Sequence, residues 1–299
     1  MSAQRVSDNV LMIDSPYHGR RGVLGTYFVQ AEKTLVVDPG PASQIDGLLE
    51  SLNRLRVEKL DIIALTHIHL DHAAGCWRLL EAYPDAMVYC HPRGVEHMID
   101  PMRIKAAAEE AFGDKILEYG EIKGIPQEKI VASMNGETLD LGGVSLKVLW
   151  TPGHSAHSQS YYEPETRTVM VGDTVGHTPG NLGFFIPASP PPYNPLQTLD
   201  SLEKLIGLNP MTLCIGHFGF HQNATERIMS FSEQVTLWRD VIVKGVDEGL
   251  SLRKMYDIVK SKDPIVNMMV TVNPESEGSV YSSIAGFVSY AKWAKKENK

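Results

Sequence analysis

Along the first half of the chain, short apolar runs alternate with segments in which apolar residues recur at helical spacing. Short runs rich in β-branched residues predict strands, which fall at residues 25–30, 34–37, 60–65 and 86–90. The segments between them repeat apolar residues every three or four positions, which predicts helices over residues 43–56 and 73–83. Such alternation is typical of a sheet flanked by helices.

The pattern becomes less regular in the second half. The stretch from residue 95 to about residue 125 is helical and polar on one side, and we expect it to be an insertion over the mouth of the molecule. Strands are predicted over residues 144–150 and 168–171, and an ordered loop rich in proline, glycine and aromatic residues over 178–195. The later periodicity predicts four helices, over residues 199–206, 231–244, 252–260 and 279–292.

We therefore divide the chain into an α/β domain over residues 1–221 and a helical extension over residues 222–299 that packs on it. The extension is expected to cover the substrate entrance, to form a homodimer contact, or only to cap the domain. The sequence leaves these three roles open.

Composition narrows the class of protein. The chain has 299 residues, of which 43% are hydrophobic and 21% charged, the balance of a globular protein. A formal charge of −8 disfavours nucleic acid, which binds clustered lysine and arginine. No stretch approaches the ~18–20 consecutive apolar residues of a membrane span, and the amino terminus lacks the apolar core of a signal peptide. Three widely spaced cysteines indicate reduced thiols, so we expect a cytoplasmic protein with a small-molecule substrate.

The most informative string, Thr-His-Ile-His-Leu-Asp-His at residues 66–72, directly follows a predicted buried strand. Alternate residues of an extended chain share a face, so Ile68 and Leu70 point into the core while the polar side chains converge. These polar side chains are His67, His69, Asp71 and His72. Imidazole and carboxylate packed so closely are costly to bury unless a metal ion binds them, and zinc, iron and manganese accept both ligand types.

Three later turns share one local context, in which an apolar run, a glycine and a polar residue follow one another. They contribute His154, Asp173 and His217. Each alone is more typical of an ordinary turn. Taken together, and in this order after the first string, they predict further ligands for the same site.

These residues resemble the metallo-β-lactamase superfamily, whose His-x-His-x-Asp-His string matches residues 67–72. The resemblance covers about residues 8–221 and implies an α/β fold with four layers, an αββα sandwich with metals at one edge between two sheets. It implies a first metal ion on His67, His69 and His154, a second on Asp71, His72 and His217, Asp173 as the bridge, and Asp38 orienting the metal loop.

The resemblance also implies the chemistry. Two divalent metal ions, zinc by expectation with iron or manganese as alternatives, would activate water by lowering its pKa from ~15.7 to about 7. The implied activity is hydrolysis of an ester-like bond in a thioester, lactone, simple ester or phosphoester. Asp173 excludes the group of true β-lactamases that carries cysteine at this position, and His69 replaces the glutamate usual in diiron oxygen-reducing relatives.

Two alternatives to a dinuclear hydrolase stay open. The first is a mononuclear iron persulfide dioxygenase, in which His67, His154 and Asp173 would hold the iron. The second is a metallo-β-lactamase-like nuclease, which the acidic balance of the chain disfavours.

Asp71 and Tyr193 are the catalytic candidates. Tyr193 resembles the tyrosine that assists substrate carbonyls in lactonase-like members, and packing beside the prolines at 190–192 is its alternative role. An apolar pocket near the metals, or simple loop anchoring, is the expectation for Phe184, Phe185 and Phe218. Structural or surface positions are expected for His91, His157, His177 and His221, of which His157 and His221 are near enough to ligands in the sequence to reach the pocket.

Overall fold

The structure, a computed structural model, describes residues 3–178 and 183–297, without the side chains of residues 111 and 112. Within these ranges the strands form two mixed sheets. The strands are Ala3–Arg5 (β1), Val10–Ile13 (β2), Thr26–Val29 (β3), Leu35–Val37 (β4), Ile62–Ala64 (β5), Met87–Cys90 (β6), Ile130–Ala132 (β7), Thr138–Asp140 (β8), Ser145–Trp150 (β9), Gln159–Glu163 (β10), Thr168–Met170 (β11), Thr212–Cys214 (β12) and Phe220–Gln222 (β13).

The helices are concentrated in the C-terminal third of the chain. They are Ile45–Arg54 (α1), Leu70–Ala73 (α2), Cys76–Ala82 (α3), Val95–Ile99 (α4), Met102–Phe112 (α5), Pro195–Gly207 (α6), Ala224–Asp247 (α7), Leu252–Lys262 (α8), Pro264–Val272 (α9) and Glu277–Glu297 (α10). Short 3-10 turns cover Ala42–Gln44, Pro92–Gly94, Gly113–Tyr119, Gln127–Lys129 and Pro274–Ser276.

The chain divides into two compact units. The first unit comprises Met1–Trp150, His157–Gly172 and Met211–Gln222, and the second comprises Thr151–Ala156, Asp173–Pro210 and Asn223–Lys299. The C-terminal helices therefore share a unit with two segments from the middle of the chain. The domain boundary that we place between residues 221 and 222 stays a prediction.

Both sheets belong to the first unit. The first sheet has the order β1-β2-β3-β4-β5-β6-β7, antiparallel up to β4 and parallel from β4 to β7. The second has the order β13-β12-β11-β10-β9-β8 and is antiparallel except for the pair β11–β12. Within the first unit, the turns after β5 and β12 carry the string at residues 66–72 and His217.

Strands β2, β3 and β4 send alternate residues into two separate cores. Tyr27 and Leu35 meet Leu146 of the second sheet, while Phe28 and Val36 pack with helices α1 and α3 on the other face. Each such buried side chain stabilises the fold by roughly 1.5–3 kcal/mol. Burial on both faces explains why these strands read as nearly continuous apolar runs. The predicted metallo-β-lactamase sandwich is confirmed.

The second unit is built around the long helix α7, against which both α6 and α10 pack. The Trp238 side chain of α7 is completely buried, and its ring centroid lies 5.8 Å from that of Phe287 in α10. None of the helices that the structure describes is long and apolar enough to cross a bilayer. The three cysteines of the chain are buried and form no disulfide, as the sequence predicts.

Four local predictions differ from the structure. The helix expected over 73–83 divides at Gly75, whose N–H donates to the Gly40 carbonyl at 2.8 Å instead of continuing the helix. The helical insertion ends at Tyr119 because Gly120 adopts φ +78° directly against the Ser43 backbone. Helix α9 was not predicted. The predicted loop over 178–195 includes residues 179–182, which lie outside the described residues, and α6 begins already at Pro195.

Candidate metal centre

The string at residues 66–72 begins where β5 ends and continues into helix α2. Ile68 is buried in the core beside the first sheet, which turns the neighbouring imidazoles to the opposite side. The ring centroid of His67 lies 4.5 Å from that of His69 and 4.1 Å from that of His72. The predicted convergence of these three imidazoles is therefore present within the first unit.

A group of three potential ligands forms around Asp71. One carboxylate oxygen of Asp71 lies 3.4 Å from Nε2 of His217 and 3.8 Å from Nε2 of His72. One ligand atom from each residue lies within 4.8 Å of the other two. His217 reaches this position because it follows the end of β12, where the Gly216 N–H donates to the Gly172 carbonyl at 3.0 Å. Two nitrogens and one oxygen at this spacing suit a divalent cation.

Asp38 holds the metal loop in place from the end of β4. One of its carboxylate oxygens accepts a hydrogen bond from the Thr66 N–H at 2.8 Å. The other accepts from the Thr66 hydroxyl at 2.6 Å and lies 2.9 Å from Nδ1 of His72. A proton on Nδ1 directs the Nε2 lone pair of His72 toward Asp71 and His217, the arrangement usual for metal-ligating histidines. This geometry agrees with the orienting role that the resemblance implies for Asp38.

His157 lies beside the cluster and is one of the two histidines that the sequence places near enough to a ligand to reach the pocket. Its ring is nearly parallel to that of His67, with centroids 6.3 Å apart, and stands edge-on to His69 at 5.5 Å. Its Nδ1 accepts a long hydrogen bond of 3.4 Å from the Ile68 N–H. The metal loop thus positions this imidazole through its own backbone. In the sequence, the indication that His157 lies near the site is its position three residues after the predicted ligand His154.

Two tyrosines near Asp71 were missed. Tyr119, at the end of the insertion, packs on the small apolar cluster around Leu70, and its ring centroid lies 6.5 Å from that of Tyr17. Burial, then the charges of Glu118 and Asp71, raise the pKa of Tyr17 to about 12. Burial and the Asp71 charge also raise the pKa of Tyr119. Both phenols are therefore protonated at neutral pH and can donate hydrogen bonds beside Asp71.

The second unit brings together the other two predicted ligands. His154 and Asp173 are both buried, and Nε2 of His154 lies 3.7 Å from a carboxylate oxygen of Asp173. Nδ1 of His154 lies 2.7 Å from the Ala188 carbonyl oxygen, to which it can only donate, so Nε2 carries the lone pair. The turn before His154 is fixed by the Asn194 N–H at the start of α6, which donates to the Gly153 carbonyl at 2.9 Å.

Tyr193 directly precedes Asn194 in the sequence and belongs to the second unit. Its side chain is buried, its ring centroid lies 4.8 Å from that of Phe287, and burial raises its pKa. Its catalytic role stays a prediction.

Three further histidines named from the sequence occupy separate environments. His91 is buried with its ring centroid 4.4 Å from that of Trp150, and burial, followed by the charge of Arg93, lowers its pKa to about 4. His177 pairs with Ile186 in an isolated β-bridge, and His221 lies on β13.

The donor set fits divalent metal ions. The first unit supplies four imidazoles and the Asp71 carboxylate, and the second supplies one imidazole and one carboxylate. These are the ligand types that zinc, iron and manganese accept. That the two groups meet in one centre stays a prediction from the sequence.

Comparison with known proteins gives the family. The sequence model of the metallo-beta-lactamase superfamily matches residues 19–217. A metallo-beta-lactamase fold-containing protein of Sulfurisphaera tokodaii is 28% identical over 241 residues, which cover 78% of this chain and 87% of the relative. A hydroxyacylglutathione hydrolase of Francisella philomiragia is 32% identical over 141 residues, or 47% of this chain and 42% of that enzyme. The chain therefore matches less than half the length of the latter relative.

Solved structures show the same architecture. The crystal structure of an archaeal metallo-beta-lactamase superfamily protein from Sulfolobus tokodaii matches with a TM-score of 0.67 at 26% identity, covering 76% of this chain and 86% of that one. A metallo-beta-lactamase family protein from Thermus thermophilus has a TM-score of 0.69 at 18% identity and covers 97% and 95% of the two chains, a likeness of fold alone. By its sequence, sheets and histidine string, the chain belongs to the metallo-beta-lactamase superfamily.

Proposed function

We propose that the chain is a dinuclear metal-dependent hydrolase of an ester-like bond, with a thioester as the favoured substrate. The observation that carries the proposal is the convergence of His67, His69, His72 and His217 around Asp71 within one unit. The thioester is favoured because relatives named hydroxyacylglutathione hydrolase share the matched region. Lactones, simple esters and phosphoesters are the other substrate classes to be tested.

In this proposal the seven predicted ligands form one centre. The first metal ion would be held by His67, His69 and His154, and the second by Asp71, His72 and His217, with Asp173 shared. The compact Asp71–His72–His217 group could hold a second ion, which supports a dinuclear centre. Retention of these three residues does not exclude the mononuclear iron dioxygenase, so the metal content decides between the two. Zinc is the proposed metal, with iron or manganese as alternatives.

The bound ions would supply activation of water near neutral pH and polarisation of the substrate carbonyl. The side chains of the protein prepare the site for this. Asp38 and the Ala188 carbonyl each hold the proton of one imidazole on Nδ1, so that Nε2 of His72 and His154 is the ligand atom. Two carboxylates, Asp71 and Asp173, leave the centre with net positive charge, which favours negative charge developing on the substrate oxygen.

Protonated phenols complete the proposed site. Tyr17 and Tyr119 lie close enough to Asp71 for its charge to raise their pKa values, and in this proposal their phenols would donate hydrogen bonds to a substrate oxygen. Asp71, as ligand and proton acceptor, and Tyr193, as a donor to the substrate carbonyl, remain the proposed catalytic side chains.

To test the proposal, the purified full chain is assayed with zinc, manganese or iron added. The assay measures hydrolysis of a panel of thioester, lactone, aryl ester and phosphodiester substrates. We expect thioester hydrolysis that a chelator abolishes and added metal restores. Absence of hydrolysis across the panel in protein holding two metal ions would contradict the proposal. One iron per chain with oxygen uptake on a persulfide would replace it with the dioxygenase.

A further inference from the structure

His217 lies in the turn that connects the last two strands of the second sheet. This turn covers residues 215–219, between β12 and β13, which pair in an antiparallel ladder. The other two members of its group, Asp71 and His72, follow β5 of the first sheet instead. The distance from His217 to these two side chains therefore depends on how the turn is held against the first sheet.

Two residues at the start of β3 bind this turn to the first sheet. The hydroxyl of Tyr27 donates to the carbonyl oxygens of Ile215 and Gly219, and both oxygen–oxygen distances are 2.7 Å. The N–H of Gly25 donates to the Gly216 carbonyl at 2.9 Å. One phenol thus binds the backbone on both sides of the histidine, at the two ends of the turn.

Tyr27 is a well-fixed donor. Its side chain is 2% exposed and lies in the core between the sheets, together with Leu35 and Leu146. Burial raises the pKa of the Tyr27 phenol well above its usual value, so the hydroxyl keeps its proton and donates. Because the core fixes the ring, it also fixes the position of this hydroxyl relative to the first sheet.

The turn has a strained backbone that needs such support. Phe218 has a φ of +66°, a region that bulky residues rarely adopt, and Gly219 has a φ of +111°. The Phe218 side chain is partly buried against the same core that contains Tyr27, which is the loop anchoring considered for it from the sequence. A strained conformation persists only where the surrounding contacts hold it. The hydrogen bonds from Tyr27 are among these contacts.

We infer that Tyr27 is a positioning residue for His217 and acts on the metal centre through the backbone of the turn. Its hydroxyl holds both ends of the turn and so keeps Nε2 of His217 3.4 Å from the Asp71 carboxylate oxygen. This inference rests on the proposed function, since His217 binds a metal ion only in that proposal. Without the hydroxyl, the strained turn loses the hydrogen bonds at its two ends, and the position of His217 relative to Asp71 is no longer fixed.

The experiment uses Tyr27→Phe, which keeps the ring and removes the hydroxyl. Competition with a chromophoric chelator measures the affinity of the metal-stripped full chain for each of its two zinc ions. We expect an affinity about 10-fold lower for one ion, the lower end of the cost of losing a residue that orients a ligand. The affinity for the other ion should be unchanged, because its proposed ligands lie outside the turn. A general loss of stability would not separate the two ions in this way.

His217→Ala identifies the affected ion, since both substitutions should weaken the same one. In the His217→Ala background, Tyr27→Phe should lower zinc affinity no further, because the two residues act through one side chain. Tyr83→Phe is the matched control. The Tyr83 hydroxyl also donates to a backbone carbonyl, that of Val57 at 3.2 Å, but this carbonyl lies outside the predicted ligands and their turns. The control should bind both zinc ions as the unaltered protein does.

A second variant serves if Tyr27→Phe does not fold. A methyl group at Gly25 would lie 3.3 Å from the Tyr27 hydroxyl and 3.5 Å from the Ile215 carbonyl oxygen. Gly25→Ala therefore crowds the same hydrogen bond and should weaken the same ion. Unchanged affinity for both ions in the folded variants, an equal loss for both ions, or a further loss in the His217→Ala background would overturn the inference. No hydrolysis is measured, so a protein that binds two zinc ions without hydrolysing any substrate contradicts only the proposed function.

Discussion

The two units orient a histidine in the same way with different chemical groups. In the first unit Nδ1 of His72 lies 2.9 Å from the Asp38 carboxylate, and in the second Nδ1 of His154 lies 2.7 Å from the Ala188 carbonyl. In each case Nε2 faces a carboxylate oxygen, at 3.8 Å for His72 and 3.7 Å for His154. A carboxylate adds negative charge and makes its imidazole more basic, whereas a backbone carbonyl supplies direction with little charge.

This difference has a consequence for mutational sensitivity. The orientation of His72 depends on one substitutable side chain, and the same Asp38 carboxylate also binds Thr66 at the start of the metal loop. The orientation of His154 depends on the backbone, which no side-chain replacement removes. The first unit should therefore lose metal affinity through changes outside its ligands, and the second only through changes to the ligands themselves.

The largest effect is expected from Asp173→Ala in the second unit. Loss of the shared carboxylate removes a proposed ligand of both ions, so metal occupancy should fall and kcat should drop by about 10³-fold, equivalent to several kcal/mol. Metal content and hydrolysis are measured together. Asp114→Ala, at an exposed position, is the control. Full activity in Asp173→Ala would contradict the bridging assignment.

The next largest effect is expected from Asp38→Asn in the first unit. Asparagine tolerates the φ of +51° at this position, so the backbone is kept while the charge and one acceptor are lost. Metal affinity should fall by about 10–100-fold, the usual cost of losing an orienting partner. Ala188→Gly keeps the carbonyl that orients His154 and should bind metal like the unaltered protein. Competition with a chromophoric chelator measures the metal affinity of both variants. Equal metal affinities of Asp38→Asn and Ala188→Gly would contradict the difference between the units.

A smaller effect is expected from Thr66→Val. The substitution keeps the backbone donor and removes the hydroxyl that donates to Asp38 at 2.6 Å. Hydrogen bonds to charged groups contribute about 1.5–3 kcal/mol, so the free energy of unfolding should fall by an amount in this range. Chemical denaturation of the metal-free protein measures it, with Thr138→Val at an exposed strand position as the control. A change no larger than in the control would show that the hydroxyl is not needed.

The last prediction concerns pH rather than metal binding, and it lies away from the centre, at His91. Its pKa falls from 6.5 to about 4 in the folded protein, mainly through burial. The unfolded chain therefore takes up a proton first, so the stabilising contribution is complete above pH 6.5 and is lost as the pH falls toward 4. His91→Gln should show a shallower loss of unfolding free energy across this window. Identical slopes in the two proteins would mean that His91 does not set this dependence.

The sequence predicted the parts of the site whose residues are close together in the chain. His67, His69 and His72 follow from the period of an extended strand entering a helix, and the family resemblance added Asp38. The Ala188 carbonyl could not be predicted, because every residue carries a carbonyl and only the fold selects one. Tyr17 and Tyr119 meet near Asp71 through an insertion whose packing the pattern does not encode.

Among the elements of the fold, too, some could be predicted from the sequence and others could not. Strands β3 to β6 were readable from their apolar runs because both faces of the sheet are buried. Helix α9 was missed although Asp263-Pro264 is a recognisable helix start, in which the aspartate caps the first turn and proline takes the first helical position. The preceding helix α8 ends at Lys262, and such an abrupt change of direction is set by packing around Asp263 rather than by periodicity.

In the proposed centre, ligands from both units hold two divalent ions. Titration of the metal-stripped full chain with Zn²⁺, followed by gel filtration and a count of bound zinc per chain, tests this proposal. We expect two zinc ions for the unaltered protein and one for a folded Asp71→Ala/His217→Ala variant, which keeps His67, His69, His154 and Asp173. Binding of no more than one zinc by the unaltered protein, or of the same number by both proteins, would contradict it.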